Sequence, residues 1–208
     1  MQLFPGKPPR FHQDNSIYFL TFCTFKRIPI LHSPGVAQFL IDELRFYARR
    51  LQRLVAYTIM PDHLHLIVEI GEASSLSGFL HDFKSYTSKE IKKKLAESSR
   101  RLPAVGPRHN ETPTGRHLLQ RMPTSGQLLP GARIWQPGTM DHCIRMSWDN
   151  NDYGNHLAYL FYNSQKHLGI APKDFPYHNF QELVGTGFLD EDFCSMSEKT
   201  DRMFAIYE

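Results

Sequence analysis

The chain has 208 residues, 41% of them hydrophobic and 22% charged, and 24 Lys+Arg against 21 Asp+Glu leave a formal charge of +3. Those proportions exclude full disorder and fibrous structure, and the length suits one domain with insertions or two small domains. The three cysteines, Cys23, Cys143 and Cys194, form no CxxC pair. They exclude a disulfide framework or a cysteine-built zinc site and fit a reducing compartment. Residues 1–7 carry no apolar signal core, and no segment approaches the ~18 apolar residues of a membrane span. The expectation is a soluble, cytoplasmic protein without a membrane partner.

In chain order, residues 16–24 are aromatic and β-branched and read as a buried strand. Val36, Phe39, Leu40, Leu44, Tyr47 and Leu51 recur at spacings of three and four, the stripe of an amphipathic helix. Residues 54–60 read as a second strand, Pro61-Asp62 as a turn, and 63–70 as a third strand. Ser75 stands where a cap belongs for the next helix, with Leu76, Phe79, Leu80, Phe83, Ile91 and Leu95 as its apolar positions. Arg133-Ile134-Trp135 reads as a fourth strand and 149–163 as a final helix. The order β-α-β-β-α-β is that of an α+β, ferredoxin-like split βαβ fold. It predicts an antiparallel sheet, helices on one face and a C-terminal tyrosine-bearing helix.

Residues 98–131 fit none of these elements. They hold five arginines, one acid and repeated prolines, and read as a basic, mobile insertion. With Lys84, Lys89, Lys92, Lys93 and Lys94 on the helix before it, this gives a basic middle suited to a polyanion. A solvated helix face followed by a passive loop fits the same charges. Residues 1–180 are expected to form a single domain, with 181–208 as an acidic appendage.

Two segments carry chemistry. In Met60-Pro61-Asp62-His63-Leu64-His65-Leu66, the strand period of two sets His63 and His65 on one face, with Leu64 and Leu66 turned into the core. Two imidazoles on a rigid strand can hold a divalent ion; two surface histidines on a solvated sheet face fit the same pattern. On the last helix, Asp152, His156, Tyr159 and Asn163 share one face, and Tyr153, Leu157, Leu160 and Phe161 another. A phenol beside a cation can act as a nucleophile, and the amide of Asn163 can give a metal an oxygen. A tyrosine on an amphipathic helix also serves as ordinary packing. Tyr162 lacks a ligand-type residue four positions later, where Lys166 stands. Trp135 fits the core or a stacking platform, and His142 and His156 fit phosphate contacts or the surface.

The ordered set resembles the IS200-type transposases, and within them the REP-associated tyrosine transposases. It comprises Met60-Pro61, His63-Leu64-His65, Ile134-Trp135-Gln136-Pro137, Asp141-His142, Tyr159 with Asn163, and Phe175-Pro176-Tyr177-His178-Asn179-Phe180. The resemblance covers residues 17–180 and departs from the family after Asn163. There the chain runs Ser164-Gln165-Lys166-His167-Leu168-Gly169, without the usual proline and with the glycine one residue late. It implies an HUH-type endonuclease and strand transferase acting on single-stranded or hairpin DNA, with Mg²⁺ or Mn²⁺ as cofactor. His63, His65 and Asn163 would match the metal ligands, and Tyr159 the nucleophile that forms a 5′-phosphotyrosine. Lys7, Arg10, Lys84, Lys89, Arg100 and Arg101 are the expected DNA contacts. Relatives include monomers and homodimers. Two other readings remain open: a binding module without cleavage, sharing its topology with the RRM but lacking an RNP1-like run, and a metal phosphodiesterase using water.

Overall fold

The computed structural model describes residues 13–101, 132–146 and 151–194. Lys7 and Arg10, the insertion from 102 onward and the chain past 194 lie outside the described residues, as do the side chains of Arg100 and Arg101. The strands are β1 (Ser16–Cys23), β2 (Arg53–Ile59), β3 (His63–Ile70) and β4 (Met140–Ile144). The helices are α1 (Val36–Tyr47), α2 (Ala73–Arg101), α3 (Asp152–Leu168) and α4 (Phe180–Gly185). No helix among the described residues is long and apolar enough to cross a membrane.

The sheet order is β2-β3-β1-β4, and every pairing is antiparallel. β3 lies between β1 and β2, the two strands that α1 connects, so the split βαβ arrangement is present. Strand alternation divides the inward side chains between two cores. Tyr18, Leu20 and Phe22 of β1 join Leu64, Leu66, Val68 and Ile70 of β3 beneath α1 and α2. On the other face, Phe19 and Ile67 meet Leu157, Leu160 and Phe161 of α3. The tyrosine helix therefore covers the face that α1 and α2 leave open. The chain after it adds Leu183, Val184, Leu189 and Phe193 to this second core.

Two expected elements stand elsewhere. The fourth strand is Met140–Ile144, five residues past Trp135. Arg133-Ile134-Trp135 forms only an isolated bridge, Thr24 to Trp135. Trp135 belongs to the core: it is buried, packs on Phe22 at 6.1 Å, and donates its indole N–H to Thr87 Oγ1 at 2.9 Å. Helix α2 is capped from a distance, because Asp14 Oδ1 accepts from the Ala73 N–H at 2.8 Å. Ser75 lies inside the first turn, its hydroxyl donating to the Glu72 carbonyl at 2.6 Å.

The Phe175–Phe180 motif seals the β2 edge. Asn179 accepts from the Tyr57 N–H and donates to the Val55 carbonyl, both at 3.0 Å, and the Ile59 N–H reaches the Tyr177 carbonyl at 2.8 Å. Unpaired groups of an edge strand are thereby covered.

Candidate functional site

His63 and His65 are the inward pair on the α3 side of β3. They face Cys23 and Thr21 of β1 in the strand register, and their rings are 4.8 Å apart. Both are buried, so they are not solvated surface histidines. Each imidazole is anchored through Nδ1. His63 donates to Asp62 Oδ1 at 2.6 Å, and Thr21 Oγ1 lies 2.9 Å from His65 Nδ1. Such outer partners fix ring orientation and leave Nε2 for a cation. His65 Nε2 has no hydrogen-bond partner among the described residues.

Helix α3 brings its functional face over this pair. Asn151 caps it, accepting from the Gly154 N–H at 3.3 Å, and the first turn begins at Asp152. Without a proline after Asn163 the helix continues to Leu168. It ends at Gly169, whose φ of 68° is the left-handed conformation that glycine adopts without strain. Tyr159 is half-buried, with its ring 5.3 Å from His65 and 5.8 Å from Phe19. One turn on, Asn163 donates from Nδ2 to the Tyr159 carbonyl at 2.6 Å, which fixes its amide. Its Oδ1 is buried without a hydrogen-bond partner among the described residues. His65 Nε2 and Asn163 Oδ1 are both buried without a well-formed hydrogen bond among the described residues, although the Asn163 amide is near enough to favour the charged form of His65. Such atoms are costly unless something occupies them. Together with His63 they make a donor set of two imidazoles and one amide oxygen, which fits a divalent ion.

A cavity of about 430 Å³ opens here, lined among others by His63, His65, Tyr159, His142, His156 and His167. Tyr153 and Tyr162 are not among its lining residues; Tyr153 packs on the second core and Tyr162 is buried. Burial, with the like charge of His63, holds the His65 imidazole well below the ordinary histidine value, against the opposing pull of the Asn163 amide. Burial also raises the Asp62 carboxyl. The hydrogen bond and charge of His63, aided by Arg27, outweigh it and leave Asp62 below its usual value.

Asp62, Thr21, Arg27 and His167 also belong to the site, although no motif marks them as site residues. Arg27 sits in the left-handed region at φ 56°, lines the cavity, and pairs with Asp62 at 3.1 Å. His167 lies one turn past Asn163 with its ring 5.9 Å from His63. A local signal existed for Asp62, which directly precedes His63, and for His167, which continues the i, i+4 spacing from Asn163. Arg27 carried none.

Of the expected DNA contacts, Lys89 is exposed on α2. Lys84 is half-buried; its ammonium donates to the Gln136 carbonyl at 2.9 Å and to that of Gly138, tying α2 to the segment before β4. His142, Asp152 and His156 form a further cluster whose ligand-type atoms all lie within 4.8 Å of one another. His156 is buried, and His142 is the exposed member.

Comparison with known proteins agrees with this arrangement. Residues 12–106 match the family model described as "Transposase IS200 like". A Haemophilus influenzae protein named "Putative REP-associated tyrosine transposase" is 30% identical over 140 residues, 67% of this chain. The match spans 65% of that curated relative. The backbone also matches a solved REP-associated tyrosine transposase bound to a REP hairpin. The TM-score is 0.55 at 21% identity, over 93% of this chain and 95% of that one, which establishes a common fold. Over residues 12–106 the sequence is thus similar to the IS200-like transposases, and the fold is shared with a solved REP-associated tyrosine transposase.

Proposed function

We propose that this protein nicks and rejoins single-stranded DNA at a hairpin repeat through a covalent 5′-phosphotyrosine on Tyr159. The observation that carries the reading is the Tyr159 ring standing 5.3 Å from His65, at a cavity that both histidines of the pair line. His63, His65 and Asn163 would hold a divalent ion, Mg²⁺ or Mn²⁺, in keeping with the unpartnered His65 Nε2 and Asn163 Oδ1. When bound, the ion polarises a phosphate oxygen and stabilises charge on the departing 3′-oxygen.

The rest of the chemistry belongs to the chain. The Tyr159 oxygen attacks the scissile phosphorus, a Tyr–O–P bond forms, and the P–O3′ bond breaks to give a free 3′-OH. The energy of the broken P–O3′ bond is kept in the phosphotyrosine ester, so another 3′-OH can reverse the step without a nucleotide cofactor. Asp62 and Thr21 keep the imidazoles in register through their Nδ1 contacts. Arg27, beside His63 at the cavity, supplies a guanidinium for the phosphate. Lys7, Arg10, Lys89, Arg100 and Arg101 contact the DNA backbone and make binding salt-sensitive. Lys84 acts through the loop that it holds. The Tyr159 ring lies 5.3 Å from His65 of the same chain, which supports cleavage within one subunit, whether the protein acts as a monomer or a homodimer.

The test is incubation of the protein with end-labelled hairpin DNA and Mn²⁺ or EDTA, resolved on a denaturing gel beside Tyr159→Phe. The expected result is a metal-dependent protein–DNA adduct carrying the label 3′ of the nick, absent from Tyr159→Phe. Cleavage that persists in Tyr159→Phe would replace the tyrosine mechanism by water attack. Binding without cleavage would reduce the protein to a DNA-binding module.

A further inference from the structure

Beside the histidine pair, His142 and His156 line the same cavity and share the carboxylate of Asp152, a hydrogen-bonded triad that the strand-transfer scheme leaves unused. Asp152, the first residue of α3, is buried and its carboxylate is the hub. Oδ2 accepts from His142 Nε2 at 3.0 Å and from the Arg145 N–H at 2.9 Å, and Oδ1 lies 2.9 Å from His156 Nδ1. His156 Nδ1 is also 2.9 Å from the Asp152 backbone carbonyl. Carboxylate and carbonyl oxygens only accept, so the proton of neutral His156 sits on Nδ1 and its lone pair on Nε2. The spacing of the cluster alone would admit a cation. The nitrogens that face Asp152 are hydrogen-bond donors, however, and a cation needs lone pairs there.

His156 is also placed beside the nucleophile. It precedes Tyr159 by three positions, which makes the two side chains neighbours on the helix surface. Both rings pack on Phe19, at 5.0 Å and 5.8 Å, and both line the cavity.

We propose that His156, oriented by Asp152, accepts the Tyr159 hydroxyl proton as the phenol oxygen attacks phosphorus. This inference rests on the strand-transfer reading above. The Tyr–O–P bond forms and the P–O3′ bond breaks. The phenol proton moves to His156 Nε2, and the imidazolium delivers it to the departing 3′-oxygen, directly or through water. Rejoining runs the same path backwards, so no proton is gained or lost over a cycle. Asp152 remains ionised throughout and stabilises the imidazolium, as the carboxylate does in an Asp–His pair.

The surroundings suit that role. Burial lowers the His156 value, against the pull of Asp152, so the ring is neutral and ready to accept at neutral pH. Burial raises the Asp152 carboxyl, but the Arg145 N–H, the hydrogen bond from His142 and the charge of His156 outweigh it and hold it low. Besides His156, the titratable groups lining the cavity are Tyr159 and His167 on its own helix, His142 and Asp141 on β4, His63 and His65 on β3, Cys23 on β1, and Arg27. β1 presents the Phe19 ring to His156.

The experiment measures single-turnover adduct formation on labelled hairpin DNA at saturating Mn²⁺, with the full chain as wild type, His156→Ala and Asp152→Asn. His156→Ala should slow adduct formation by about 10²–10⁴-fold with hairpin affinity unchanged, and added imidazole should restore part of the rate. Asp152→Asn should slow it less and move the acid limb of the pH–rate profile to lower pH. A wild-type rate in His156→Ala, or a slowed rate in the folded variant that imidazole does not lift, overturns the proposal. Should both variants fail to fold, the wild-type profile decides: it must fall on the acid side between about pH 5 and about pH 8, and a flat profile overturns the proposal. Absence of any adduct in wild type instead overturns the strand-transfer reading on which this one stands.

Discussion

On one face of the sheet, Leu64, Leu66, Val68 and Ile70 of β3 pack with Tyr18, Leu20 and Phe22 of β1 beneath α1 and α2, none more than 2% exposed. On the other face, one residue away along the same strands, stand His63, His65 and Thr21, roofed by α3 around a cavity of about 430 Å³. The first face is closed and apolar. The second buries polar atoms that lack hydrogen-bond partners among the described residues, His65 Nε2, Asn163 Oδ1 and Thr58 Oγ1 opposite His65. Stability and chemistry are thus assigned to alternate residues of one strand, and the rigidity of the first face holds the second in register.

The largest effect separates the two faces directly. Leu66→Ala removes a fully buried side chain from a close-packed core, so stability should fall by about 2–5 kcal/mol in denaturant unfolding. Where it remains folded, its adduct yield per folded molecule should match wild type. His65→Leu should do the opposite: it abolishes nicking but stays within about 1 kcal/mol of wild-type stability, because losing the Thr21 contact is offset by removing an orphaned nitrogen. A loss of stability in His65→Leu as large as that in Leu66→Ala would mean the two faces are not separable.

Next in size is the response to metal. A cation that binds only the folded chain stabilises it by about 2.7 kcal/mol at 100 times its Kd. Thermal unfolding with and without Mn²⁺ should show that increment in wild type and keep it in Leu66→Ala. It should vanish in His65→Leu and shrink in Asn163→Ala. An increment that survives in His65→Leu would move the ion away from the histidine pair.

Much of this division was legible in the sequence. The period-two pattern of 63–70 separates histidines from leucines without any tertiary information, and the helical period of 152–163 turns Tyr159 and Asn163 away from Leu157 and Leu160. Features that depend on distant pairing were not legible. Met140–Ile144 is an edge strand of mixed polarity, defined by its ladder to β1, whereas Ile134-Trp135 looks like a strand because it is buried against α2. Asp14 caps a helix 59 positions away, and Arg27 reaches the cavity through a left-handed turn that its sequence does not announce. The His142–Asp152–His156 cluster forms only because β4 lies under the start of α3.

The smallest effect is the acid sensitivity of the metal-free protein, and it sharpens the same contrast. Burial keeps His65 below the ordinary histidine value in the folded chain. Unfolding returns it to about 6.5, so below that pH the unfolded chain takes up a proton that the folded chain refuses until much lower pH. Stability is therefore full above about pH 6.5 and lost as pH falls beneath it, by up to about 1.4 kcal/mol per pH unit for each such histidine. His156, on the same side, is lowered by burial and adds to the slope. The side chains of the opposite core cluster are hydrophobic and contribute equally at both ends of the range, whereas His32, packed on Tyr177 at its edge, is lowered by burial as His65 is. Urea midpoints in EDTA at about pH 7.5 and about pH 5.5 should show a smaller difference for His65→Leu than for wild type, and an unchanged difference for Leu66→Ala. An undiminished difference in His65→Leu would assign the acid sensitivity to buried histidines away from the cavity, such as His178, whose value burial also lowers.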